Sequence, residues 1–102
     1  MSLRYRLTPT AQENVDGICA YIGDDSVDAA IRVLDALERG FEHLAEMPES
    51  GHKREDLTDR PVKFWRVFSC LIVYDPASEP LTILAVLHGA RDIENILKQS
   101  DQ

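Results

Sequence analysis

Only two cysteines occur in the 102 residues, Cys19 and Cys70, and they fit no zinc spacing and make no disulfide framework. Reduced, half-buried thiols are the expectation. Positive charge is equally scarce: eleven Lys plus Arg face eighteen Asp plus Glu, a formal net charge of −7. That deficit excludes a protein whose whole surface binds nucleic acid, because phosphate binding relies on Lys and Arg releasing counterions; a local basic patch stays open. Long apolar runs are missing too. The longest stretch free of charge and proline, Leu81 to Ala90, falls far short of the ~18–20 apolar residues of a membrane span. The start, Met1-Ser2-Leu3-Arg4-Tyr5-Arg6, has no signal-peptide core, so the cytoplasm is the expected location. There is no G-x-S-x-G, no phosphate-cradling glycine loop and no dinucleotide fingerprint. His43, His52 and His88 have no i,i+4 His and no Cys at ligand spacing, so neither a metal nor another cofactor is expected.

What is present is an ordinary globular composition, 44% hydrophobic and 28% charged, long enough for one domain (residues 1–102) around one core. Residues 1–61 carry seven basic and thirteen acidic side chains and read as helical; residues 62–102 carry four and five and read as strand-rich. Arg4-Tyr5-Arg6-Leu7 alternates as a short strand. Thr8-Pro9 then supplies a capping hydroxyl and a proline at the first helical position. Ala11, Val15, Ile18 and Ile22 form one helical stripe, with Cys19 beside it. Gly17 either weakens that helix by about 1 kcal/mol relative to Ala or lets another segment approach. Gly23-Asp24-Asp25-Ser26 is the break, with Ser26 or Asp25 capping the next helix, so an antiparallel helical hairpin is expected.

The second helix has the stripe Val27, Ile31, Leu34, Leu37, Phe41 and Leu44, with Asp28/Arg32 and Asp35/Arg39 paired outside. It ends at Met47-Pro48, where proline pushes its predecessor out of the α region. After a polar loop, Val62 to Phe68 alternates: Val62, Phe64, Arg66 and Phe68 share one face, and Lys63, Trp65 and Val67 the other. Leu71-Ile72-Val73-Tyr74 reads as a central strand after a tight turn near Ser69-Cys70, and Leu81 to His88 as another. Asp92 is placed to cap a short tail helix with Ile93, Ile96 and Leu97 on one side. The order β-α-α-β-β-β-(α) is an α+β fold: a helical hairpin on a mostly antiparallel four-stranded sheet.

The densest cluster of chemistry is His88-Gly89-Ala90-Arg91-Asp92, an imidazole, a guanidinium and a carboxylate leaving a buried strand at a glycine turn. It is either a strand exit, with Arg91 ion-paired and Asp92 as a cap, or a surface facing a macromolecular target. Lys63, Trp65 and Arg66 form a second basic, aromatic spot, which strand packing or an interface explains equally. Cys19 and Cys70 lie in apolar surroundings, which favours packing over a Cys-His nucleophile.

Leu44-Ala45-Glu46-Met47-Pro48-Glu49-Ser50-Gly51, Val67-Phe68-Ser69-Cys70-Leu71-Ile72-Val73-Tyr74 and Val86-Leu87-His88-Gly89-Ala90-Arg91-Asp92-Ile93, together with Leu7-Thr8-Pro9-x-Ala11, resemble the RelE/ParE toxin superfamily. They look most like its ParE, or plasmid stabilisation, branch, and the similarity runs from Tyr5 to Leu97. The resemblance implies a type II toxin inhibiting DNA gyrase by protein–protein binding, without catalytic residues. It also implies neutralisation by a cognate ribbon-helix-helix antitoxin in a hetero-oligomer, with no sequence-specific DNA contact from this chain.

Under that resemblance Arg66, His88, Arg91 and Asp92 are the target-binding candidates. The antitoxin-binding candidates are Tyr21, Ile22, Phe41, Phe64, Trp65 and Tyr74, chosen as apolar or aromatic positions only partly covered by the core. The alternatives are a RelE-like ribosome-dependent ribonuclease using Arg91, Arg66 and His88, and a degenerate toxin that keeps only antitoxin binding. Where RelE-type nucleases carry a central-strand arginine and a terminal tyrosine, this chain has Leu71 and Leu97. It also departs from ParE-like relatives at Cys70, where an aromatic is common, and at Asp75 and Ala85, where basic residues often occur.

Overall fold

The computed structural model describes residues 4–88; Arg91, Asp92 and the expected tail helix lie outside them. Strand β1 (Tyr5–Leu7) leads into helix α1 (Pro9–Asp25), and α2 (Val27–Glu46) follows. Thr8 caps α1, its hydroxyl accepting from the Ala11 N–H at 3.1 Å. A single residue, Ser26, separates the helices. Its N–H closes α1 on the Ile22 carbonyl, and its Oγ accepts from the Ala29 N–H at 3.1 Å to open α2. The break is therefore shorter than the Gly23–Ser26 segment expected, because Ser26 meets both helix ends at once. Of the two expected surface pairs on α2, Asp35–Arg39 closes at 2.9 Å.

A 3₁₀ turn (Pro48–Ser50) and a loop precede β2 (Lys63–Val67), β3 (Cys70–Asp75) and β4 (Leu81–His88). The sheet order is β1-β4-β3-β2, with β1 parallel to β4 and the other pairs antiparallel. The sheet is thus mixed: the helical hairpin carries the chain from β1 at one edge to β2 at the other, and β3 then leads back to β4 beside β1. β2 is shorter than the expected Val62–Phe68. Val67 pairs with Cys70, so Phe68 and Ser69 form the turn, and Phe68 adopts a φ of 54°.

The helices cover one sheet face, where Val15, Ile18, Leu37, Phe41 and Leu44 pack on Cys70, Ile72, Tyr74, Leu81, Ile83 and Val86. Burying each large aliphatic or aromatic side chain here contributes about 1.5–3 kcal/mol. α2 comes close to the sheet at Gly40, where an added Cβ would stand 3.2 Å from both Ile72 Cδ1 and Val67 Cγ2. A second cluster, Val62, Phe64, Val73, Ala85 and Leu87, lies on the opposite face with Leu57, Leu71 and Leu84 around it. A bulge shifts the alternation of β4: Val73 opposes Ala85 while Tyr74 opposes Ile83, so Leu84 is the extra residue, and Ile83 and Ala85 pack on opposite faces.

β1 spans only Leu81–Ile83 of its neighbour. Beyond it, α1 side chains meet the outer edge of β4. The Thr8 hydroxyl donates to the Leu84 carbonyl at 3.0 Å, and Asn14 Oδ1 accepts from the Val86 N–H at 3.1 Å.

Candidate functional site: the hairpin tip and the His88 end of the sheet

A twenty-residue helix is about 30 Å long, whereas the five residues of β2 span about 17 Å. α2 therefore outruns β2, its main neighbour in the sheet. Its C-terminal half, with Leu37, Phe41 and Leu44, is buried. Its N-terminal half continues the same stripe past the sheet, leaving Val27 66%, Ile31 61% and Leu34 37% exposed. The expected core stripe is a core for half its length and a surface for the rest. Tyr21, near the end of α1, is exposed beside it.

Tyr21 links this tip to the end of β4. Its ring meets the His88 imidazole edge-on, with centroids 6.0 Å apart. His88 Nε2 lies 3.1 Å from Ser69 Oγ, and Ser69 follows the exposed Phe68 in the β2–β3 turn. Between α1 and β4 runs an open groove of about 250 Å³, walled by Glu13, Asn14, Tyr21 and His88, with Gly17 in its lining and no side chain over it. Tyr21, His88, Ser69 and Phe68 thus form one continuous surface.

The remaining candidates are dispersed. Arg66 is exposed but shares the face of Phe64, beside Leu71, opposite to the face that carries Val86 and His88. The two target-binding candidates within the described residues are therefore not brought together, since strand alternation sends them to different sides. The Lys63-Trp65-Arg66 spot separates for the same reason. Lys63 pairs with Glu49 at 3.2 Å, and Trp65 turns to the helices, its ring 5.1 Å from that of His43.

Of the antitoxin-binding candidates, Tyr21 is exposed, and Ile22 and Trp65 are half-buried against the core. Phe41, Phe64 and Tyr74 are buried, which corrects the expectation that they offer surface. Phe41 is sealed between α2 and the Tyr5 ring, 5.3 Å away. Phe64 lies in the second cluster, where its backbone bridges His52. The Tyr74 hydroxyl donates to the Pro48 carbonyl at 2.7 Å and accepts from the Gly51 N–H at 2.9 Å. Sequence reasoning missed Val27, Ile31, Leu34 and Phe68 as surface, because apolar periodicity marks a stripe without saying what covers it.

The chemistry of this end favours binding. Burial pushes the Cys70 thiol up, with Cys19 adding to the rise. Burial, then Asp16 and Glu38, pushes up that of Cys19. Neither is poised as a nucleophile. Among the described residues no carboxylate orients the His88 ring, so His88 and Ser69 form a surface hydrogen bond rather than an assembled nucleophile. No group of three or more metal-ligating side chains occurs among them, and no helix there is long and apolar enough to cross a membrane.

No curated protein matches the chain. A family match does cover residues 5–93, and its description is the ParE toxin of the type II toxin–antitoxin system parDE. The matched stretch begins at β1 and runs past His88, taking in the helical hairpin and the whole sheet. The chain belongs to the ParE toxin family of type II toxin–antitoxin systems.

Proposed function

We propose that this toxin acts by protein–protein binding, inhibiting DNA gyrase, and is neutralised by a cognate antitoxin with a ribbon-helix-helix DNA-binding domain. The observation that carries the binding mode is the overhanging tip: Val27 and Ile31 are each more than 60% exposed on a helix whose other half is core, and Tyr21 of α1 is 69% exposed. Exposed apolar groups on one stripe suit a protein partner, which gains by removing them from water. Gyrase as the target follows from family membership, an associational warrant. Leu71, half-buried beside Arg66 where RelE-type nucleases carry an arginine, gives no cation to a developing phosphorane and favours binding over RNA cleavage.

The test is a supercoiling assay with the purified chain and no antitoxin. Loss of supercoiling, or accumulation of the gyrase-cleaved DNA complex, is expected. Unchanged supercoiling at large molar excess would remove gyrase as the target. Codon-positioned cuts in a translation extract, lost on Arg91→Ala, would establish the ribonuclease instead.

A further inference from the structure

The two helices carry nine carboxylates and two arginines, so the hairpin accounts for all seven net negative charges of the chain and the rest is neutral. Among the described residues of the tip, Arg32 is the one cation near three aspartates. Asp24, Asp25 and Asp28 flank the Ser26 junction and form no ion pair with a described residue, while Arg39 is already held by Asp35. The apolar stripe Val27, Ile31 and Leu34 (i, i+4, i+7) runs through this acidic surround, with Tyr21 alongside.

An apolar line framed by unpaired carboxylates is complementary to a helix with apolar residues on one face and Lys or Arg beside them. A second copy of this chain is a poor occupant, because tip-to-tip contact sets aspartates against aspartates. Nucleic acid is poorer still. We infer that the tip docks a cationic amphipathic helix of the partner polypeptide, apolar face on the stripe and basic flanks on the aspartates. The inference rests on the toxin–antitoxin reading for the existence of that partner. It adds that the antitoxin's toxin-binding segment is basic where it crosses the tip.

Two helical peptides of about 18 residues, long enough to span the stripe, test the chemistry. Both carry leucines at i, i+3, i+4 and i+7, one with lysines and the other with glutamates elsewhere. Fluorescence anisotropy with the full chain is expected to show binding of the lysine peptide, weakened about tenfold or more between about 50 and about 500 mM NaCl. Ile31→Ser/Leu34→Ser should weaken it about tenfold. Asp24→Asn/Asp25→Asn/Asp28→Asn should flatten the salt dependence, with circular dichroism showing both variants folded.

Equal binding of the glutamate peptide would overturn the inference. So would binding indifferent to both variants, or a dimer of the chain that Ile31→Ser/Leu34→Ser dissociates. Failure here with supercoiling still inhibited removes the docking chemistry alone. Peptide binding without gyrase inhibition upholds the docking surface and removes the target.

Discussion

Gly51→Ala should be among the most damaging single-methyl changes in the protein. Gly51 has an ordinary extended backbone, φ −73° and ψ 178°, so the objection is space and not conformation. An added Cβ would stand 2.3 Å from the Tyr74 hydroxyl oxygen, 2.8 Å from its Cε1 and 2.9 Å from the Phe64 carbonyl. Neither neighbour yields cheaply: Tyr74 is fully buried in the main core, and Phe64 is held by the backbone bridge to His52. Displacing Tyr74 also breaks its bonds to Gly51 and Pro48. Overpacking costs about 1–3 kcal/mol, and each stranded buried polar group about 1–3 kcal/mol more. The expected loss is about 3–5 kcal/mol, read as a fall in the urea midpoint.

A double-mutant cycle separates the two contributions. Tyr74→Phe alone removes the hydroxyl and strands Pro48 O and Gly51 N, for about 2 kcal/mol. In Gly51→Ala/Tyr74→Phe the 2.3 Å clash is gone, so the double variant should be less damaged than the sum of the singles by about 1 kcal/mol or more. A Gly51→Ala loss below about 0.5 kcal/mol, or strict additivity, would refute the reasoning.

Two further predictions concern the same core and the β2–β3 turn. Burial pushes the Tyr74 hydroxyl up, with Glu49 adding to the rise against the opposing Gly51 N–H. The unfolded phenol ionises near pH 10 while the folded one keeps its proton, so Tyr74 contributes stability below that pH and loses it as pH rises further. Urea midpoints should fall above about pH 10, less steeply in Tyr74→Phe; equal slopes would count against the assignment. Phe68 holds a φ of 54° while 65% exposed. Phe68→Gly should therefore stabilise the chain by about 1 kcal/mol through relief of the left-handed strain, and a destabilised variant would show that the ring packs usefully.

The local signals were legible because each element answers to its own residues. Thr8-Pro9 starts α1, Ser26 starts α2 and Met47-Pro48 ends it, all by short-range hydrogen bonds or sterics. The apolar period of α2 was equally legible. What covers it was not, since exposure of Val27 and Ile31 depends on how far the strands reach beneath the helix. Tyr74 misled for a related reason: an aromatic at a strand end reads as surface until the chain 23 residues earlier supplies the Gly51 N–H for its hydroxyl. The parting of Arg66 from His88 follows from parity on paired strands, and the bulge at Leu84 hid it by altering the count along β4.

The guarded rim of β4 has a consequence for the life of this protein. A bare strand rim invites other copies of a chain to zip alongside it. With Thr8 and Asn14 occupying the Leu84 carbonyl and the Val86 amide, two backbone groups on that rim are closed to a sibling strand.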